Sequence, residues 1–311
     1  MGTLIIGGLF VMFAVYSLAS AGGVFASRAG IVNYALNGAM IMGATGYILA
    51  SKALVALTGG LEWYTPIVSL LVAMIFSILT TSLLSFTAIN LGSDHLIVGM
   101  AVNILAPIIS LVLIVFITKG HNVIDIKNIQ ITHGFAKQMG METWEIQLII
   151  AAVVGIIIIS LIVLLKNSTL GIRIRAAGEN PHALASAGVS VLRIKHIAMI
   201  FSGALAGLAG GVLVGALPKF EQFDSSVYGI GFIAISILII GRWRMEFTII
   251  TSFLLAIIYV LINTYAPDFG QQNQWYLHMV PYLATLVILP FFVRFSQRPK
   301  ALGVQFRNSR R

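Results

Sequence analysis

The sequence predicts an all-α, polytopic transmembrane bundle, and two observations carry that prediction. Hydrophobic residues make up 59% of the 311 residues and charged residues only 9%, against about 25% charged in an average soluble domain. The apolar residues also fall into runs near the ~20 residues that a helix needs to cross a hydrocarbon core of about 30 Å. A water-soluble fold of this size could not cover its surface with so few charges, whereas a surface that meets lipid needs none.

Taken in order, runs of spanning length occupy residues 4–22, 31–50, 65–86, 97–118, 146–165, 196–217, 247–265 and 277–295. A ninth, 229–241, is apolar but too short to cross as an upright helix. It either extends back into the preceding loop or forms a broken, cavity-lining segment. The N-terminus has no positive region before its apolar run, so it reads as a first span and not as a cleaved leader. Ile6 stands where a myristoylation pattern wants Ser or Thr.

Counting nine segments with the C-terminus inside sorts the charges. Fourteen of the 19 Lys and Arg then fall on the cytoplasmic side: Arg28, Lys166, Arg173, Arg175, Arg193, Lys195, Arg242, Arg244, Arg294, Arg298, Lys300, Arg307, Arg310 and Arg311. Lys52, Lys119, Lys127, Lys137 and Lys219 stay outside with seven of the ten acids. Positive residues accumulate on the cytoplasmic side, so the expected topology is N-out, C-in. The formal charge of +9 thus reports topology and contact with anionic membrane lipid, with no nucleic-acid partner expected. Residues 1–295 form one membrane domain, and 296–311 a basic cytoplasmic tail.

The loop 166–195 is the most informative stretch. Asn180 is placed to cap a short helix whose first residue, Pro181, has no N–H to leave unsatisfied. Gly188 can take the left-handed conformation that ends it. At about seven residues such a helix is not stable alone in water and needs a partner surface. That surface is either a groove on an ATPase, which would make it a coupling helix, or the protein's own membrane domain.

Within the spans, Gly203, Gly207, Gly211 and Gly215 recur every four residues, a stripe suited to close helix packing. Asn33 and Asn37 stand one turn apart at the start of the second span, with Asn103 and Ser110 in the fourth. Polar groups in a bilayer face the bundle interior or a wet cavity, so these serve either interhelical hydrogen bonds or a translocation path. Ionisable residues are almost absent from the spans, with His196 and His278 near the ends; a proton-coupled carrier would need buried relays. No P-loop, zinc-binding helix or clustered ligand set occurs, so no catalytic residue, metal or cofactor is expected. Asp94-His95 reads as a solvated loop contact. The absence of cysteine excludes disulfides and thiolate chemistry.

Five stretches resemble one family: SRAGIVNYALNGAMIMGA at 27–44, SDHLIVGMAVN at 93–103, GIRIRAAGENPHALASAG at 171–188, SGALAGLAGG at 202–211 and GFIAISILIIGRW at 231–243. They resemble the permease subunits of bacterial ATP-driven importers for ribose, simple sugars, nucleosides and branched-chain amino acids, nearest to the nucleoside and simple-sugar branch. The resemblance implies import of a small polar solute across the bacterial cytoplasmic membrane. It also implies a second permease subunit, cytoplasmic ATPase subunits and an external solute-binding protein. It assigns ATPase coupling to Gly178, Glu179, Asn180, Pro181, His182, Ala183, Ala187 and Gly188. The branch usually carries Glu where this chain has Asn37. A secondary transporter or channel working without ATP is the alternative.

Overall fold

The computed structural model describes residues 2–132, 140–217, 220–265, 279–293 and 298–306. His278, Lys137, Lys219, Arg294, Arg307, Arg310 and Arg311 lie outside the described residues, as do the edges of the predicted span 277–295 and of the tail 296–311.

A backbone in hydrocarbon has no water to bond, so the chain satisfies its N–H and C=O groups within helices. These are α1 (Gly2–Arg28), α2 (Leu36–Thr58), α3 (Thr65–Asn90), α4 (His95–Ile117), α5 (Thr143–Asn167), α6 (Thr169–Glu179) and α7 (Pro181–Ser186), followed by α8 (Val191–Ala216), α9 (Ile230–Ile240), α10 (Met245–Tyr265) and α11 (Val280–Val293). Local chemistry sets the ends. Asp94 starts α4 by accepting from the N–H groups of Leu96 and Ile97. Glu142 and Glu145 close a capping box on α5, and α2 stops at Gly59, whose φ of 78° is left-handed.

Among the described residues, seven helices are long and apolar enough to cross a membrane: α1, α2, α3, α4, α5, α8 and α10. The eleven residues of α9 span about 16 Å at the usual rise, roughly half a bilayer core.

Two boundaries differ from the sequence reading in ways that matter. Helix α1 does not end near residue 22 but runs on to Arg28. Gly22 is a contact point, where an added Cβ would sit 2.8 Å from the Ser202 carbonyl oxygen. The second span starts at Leu36 and not at residue 31, because Asn33 breaks the approach: its side-chain oxygen accepts from the Ala35 N–H. Asn33 and Asn37 therefore do not stand one turn apart on one helix. The loop 166–195 holds α6 as well as the expected short helix, and the connection after α4 contains β1 (Ile124–Asp125), paired antiparallel with β2 (Gln222–Phe223).

Helices α1 and α8 form the centre; 83% and 78% of their apolar windows are buried, against 22–33% for α3, α4, α5 and α10. The outer helices turn apolar stripes outward, such as Ile67, Leu71, Ile75 and Leu79 on α3 and Ile97, Ile104, Ile108 and Val112 on α4. Spacings of four and seven put each set on one helix face, as a lipid-facing surface requires.

Glycine lets the centre close. A Cβ on Gly43 of α2 would lie 2.6 Å from the Cα of Gly207, and one on Gly207 would lie 2.5 Å from the Ala73 carbonyl oxygen of α3. Gly203 faces Thr81 and Ile78, Gly210 faces the Met40 carbonyl, and Gly211 and Gly215 face Tyr47. Helix α8 thus meets α2 and α3 nearly backbone to backbone, where dispersion and small-residue packing replace the missing hydrophobic drive.

Replacing Gly207 with Ala should cost about 1–3 kcal/mol by overpacking and lower the thermal midpoint in detergent. Gly155→Ala in α5, where an added Cβ meets nothing within 4 Å, should be neutral or raise it, since Ala outranks Gly in a helix by about 1 kcal/mol. Equal midpoints for the two variants would refute the packing assignment.

Candidate coupling and translocation site

The hairpin of α6 and α7 is built by its caps. Ser168 accepts from the Gly171 N–H at 2.9 Å and starts α6. Asn180 ends α6 and at once caps α7, its side-chain oxygen accepting from the Ala183 N–H at 3.1 Å. Pro181 takes the first helical position. Beyond Ala187, Gly188 turns at φ 78°, a left-handed value that Gly adopts without a steric penalty.

Only Leu184 of α7 is buried, and it anchors the helix. Glu179, Asn180, His182, Ala183, Ala187 and Gly188 are all exposed. The upper end of the hairpin is fixed more firmly. A Cβ on Gly178 would run into the Arg28 carbonyl at the end of α1, so only Gly allows α6 to sit there.

A second segment, which the sequence reading passed over as a basic tail, completes this surface. Residues 298–306 cross the same end of the bundle as an irregular strap. The Ala301 N–H donates to the Gly178 carbonyl at 2.8 Å, and the Gly303 N–H to the Gly30 carbonyl at 3.0 Å. Lys195, only 4% exposed, points its ammonium toward the Val304 carbonyl at 3.5 Å. The Phe306 ring lies 5.2 Å from the His182 imidazole, which brings the strap against α7.

Beside the hairpin lies an open cavity of about 790 Å³. Arg28 of α1, Lys166 of α5, Arg175 of α6, Arg242 and Arg244 from the α9–α10 turn, and Arg298 and Lys300 of the strap line it, with only Glu179 and Glu246 as acids. Seven residues that the charge count put on one side of the membrane thus converge at one end. A second cavity, of about 840 Å³, opens between the start of α4, the end of α9 and the strap. Asp94 and His95 line it; Asp94 is solvent-exposed and caps α4, whereas His95, at 8% exposure, is buried and departs from the solvated contact expected of the pair.

The three path candidates all engage neighbouring elements. The Asn33 amide donates to the Ser202 hydroxyl of α8 at 2.8 Å. The Asn37 side-chain oxygen accepts from the Gly231 N–H of α9 at 3.2 Å. Asn103 bridges both ways, accepting from the Gly38 N–H and donating to the Tyr34 carbonyl, each at 2.7 Å. None of the three lines either large cavity. Ser110 likewise shares a hydrogen bond of 2.6 Å with Thr45. At the opposite end, Lys127 pairs with Glu221 at 3.5 Å, and the buried Gln130 amide donates to the Phe220 and Leu217 carbonyls. The α4–α5 connection is thereby tied to the α8–α9 connection.

Comparison with known proteins agrees with this architecture. The family described as branched-chain amino acid transport system / permease component matches residues 5–289. The uncharacterized protein MG121 of Mycoplasma genitalium is 32% identical, over 93% of this chain and 92% of its own. The nucleoside ABC transporter permease protein NupC of Lactococcus lactis subsp. cremoris is 29% identical, with coverages of 94% and 92%. The guanosine ABC transporter permease protein NupQ of Bacillus subtilis is also 29% identical, with coverages of 99% and 98%. A family match over nearly the whole length, with seven long apolar helices among the described residues, makes this protein a multi-pass permease component of the cytoplasmic membrane, a member of the branched-chain amino acid transport system permease family and not an enzyme.

Proposed function

We propose that the chain is the membrane-spanning subunit of an ATP-driven importer for a small polar solute, a nucleoside ahead of a simple sugar. The observation that carries the ATP-driven part is α7: a capped short helix, anchored by Leu184, with Ala183, Ala187 and His182 presented to solvent. Small side chains on an exposed helix face leave room for a groove to close over it, as helix-in-groove docking requires. The nucleoside preference rests on the names of two full-length relatives.

In this reading the chain makes nine membrane segments, N-out and C-in, with α9 the short one. Convergence of seven cations at the hairpin end supports that orientation. ATPase subunits would engage Gly178–Gly188 from the cytoplasm. A second permease subunit would complete the pathway, and an external solute-binding protein would deliver to the end where β1 pairs with β2. Binding and hydrolysis in the ATPases would rock the helices between two access states. Asn33, Asn37 and Asn103 then act by holding the helices that border the path. Where the family usually has Glu, the Asn37 amide keeps the α2–α9 hydrogen bond without placing a charge in the bilayer, which is costly.

Ala183→Glu and Ala187→Glu alter exposed positions and should leave insertion and folding intact. They should abolish ATPase assembly, or reduce solute-stimulated ATP hydrolysis by at least about tenfold, the effect of a like-charge or desolvation cost near 1.4 kcal/mol. Unchanged stimulated hydrolysis would sink the coupling assignment.

A mild-detergent purification of the tagged chain should carry along a P-loop ATPase and a permease subunit, identified by mass spectrometry. A chain that purifies alone and moves solute into liposomes without ATP would establish the secondary-transporter reading instead.

A further inference from the structure

The cationic cavity lies beside the hairpin, and its construction asks for a ligand. Seven basic side chains face two carboxylates, and one of those, Glu246, is already paired with Lys166. Two of the cations are aimed by backbone contacts. The Arg28 Nε donates to the Trp243 carbonyl at 2.8 Å, and an Arg175 Nη to the Lys166 carbonyl at 3.1 Å. The turn that supplies Arg242 and Arg244 is strained. Arg242 and Trp243 hold φ values of 58° and 53°, a left-handed region that costs a non-glycine residue about 1 kcal/mol or more. The Arg242 Nε is buried, with no hydrogen-bond partner among the described residues. A guanidinium donor left unmatched beside six other cations is the reverse of what an interior tolerates.

Position narrows the ligand. Val24 and Arg28 of α1 line the cavity together with Ile162, Leu165 and Lys166 of α5 and Met245 and Glu246 of α10. Both α5 and α10 also carry exposed apolar residues further along their membrane-spanning lengths. Ile159 is 63% exposed and Val163 51% on α5, with Ile250 at 58% and Leu254 at 56% on α10. Clustered cations at one end of two helices that expose apolar residues along their lengths match a molecule with an anionic head and hydrocarbon chains.

We propose that this cavity binds a phosphate-bearing anion, the headgroup of an anionic phospholipid whose acyl chains lie along α5 and α10. Arg242 and Arg244 reach the phosphate, and Arg175 and Arg298 close over it from the hairpin and the strap. The bound headgroup then bridges the α9–α10 turn to α6, and so to the helix that precedes α7. The proposal uses the permease reading only to place this end of the bundle at the cytoplasmic leaflet.

The test is native mass spectrometry of the full chain, delipidated in detergent. Phosphatidylglycerol, phosphatidylcholine of the same acyl chains, and inorganic phosphate are then titrated separately. Phosphatidylglycerol should bind about tenfold or more tighter than phosphatidylcholine, because each basic residue near an anionic headgroup contributes measurably. The double variant R242Q/R244Q should erase that preference, while R173Q, an exposed charge outside the cavity, should keep it. If R242Q/R244Q does not fold, R298Q/K300Q makes the same test from the strap side.

Equal binding of phosphatidylglycerol by wild type and cavity variants would overturn the proposal. Binding of inorganic phosphate without preference for phosphatidylglycerol would overturn the lipid assignment and give the site to a soluble anion. The measurement needs no ATPase, so its failure leaves the importer reading standing. A failure to co-purify an ATPase equally leaves this result standing.

Discussion

The close approach of α8 to α2 and α3 is the constraint on which the rest of the bundle depends. Lipid gives helices no hydrophobic reason to associate, so contact must come from packing and from polar groups that find one another. At Gly43 and Gly207 two backbones meet with no side chain between them. Every other contact at the centre follows from that spacing. Because the helices sit so near, the Asn33 amide reaches Ser202 across from α8, and the Tyr47 ring fills the space that Gly211 and Gly215 leave open. The outer helices can then devote most of their surface to lipid.

The polar groups of the interior follow the same economy. Asn37 and Asn103 each satisfy a backbone N–H near the start of a helix, at Gly231 and Gly38, where such groups have no partner inside their own helix. Thr45 and Ser110, and Ser51 and Ser69, form hydroxyl pairs between neighbouring helices. These are short side chains on stiff elements, so little freedom is lost in ordering them.

How much of this could be read from sequence depended on whether the signal was local. The glycine stripe was legible because its four-residue spacing is a property of one helix. The cap at Asn180, Pro181 at the first position and Gly188 beyond the end were legible because capping chemistry spans a few residues. Helix α6 was not: GIRIRAAGE reads as a charged loop, and its helicity comes from resting Gly178 on the end of α1. The true start of α2 was hidden because Ile31 and Val32 are as apolar as the helix that follows, while the bond from Asn33 to Ser202 joins residues 169 apart in sequence. The strap was invisible for a stricter reason. Its hydrogen bonds join backbone atoms of Ala301 to Gly178 and of Gly303 to Gly30, and a backbone contact leaves no mark in side-chain pattern.

That strap also limits travel. Ala301 holds the last turn of α6 while Gly303 holds the turn after α1, so one short stretch of chain clips two elements to each other at their carbonyls. A hydrogen bond is lost when its atoms part by about an ångström, and these two lie in the same nine-residue segment. A pull on α7 that stays within that distance moves α6, the strap and the end of α1 as one piece. A larger pull unclips both bonds together, each worth about 1 kcal/mol net. The joint therefore behaves less like a spring than like a latch, stiff for small displacements and free once released.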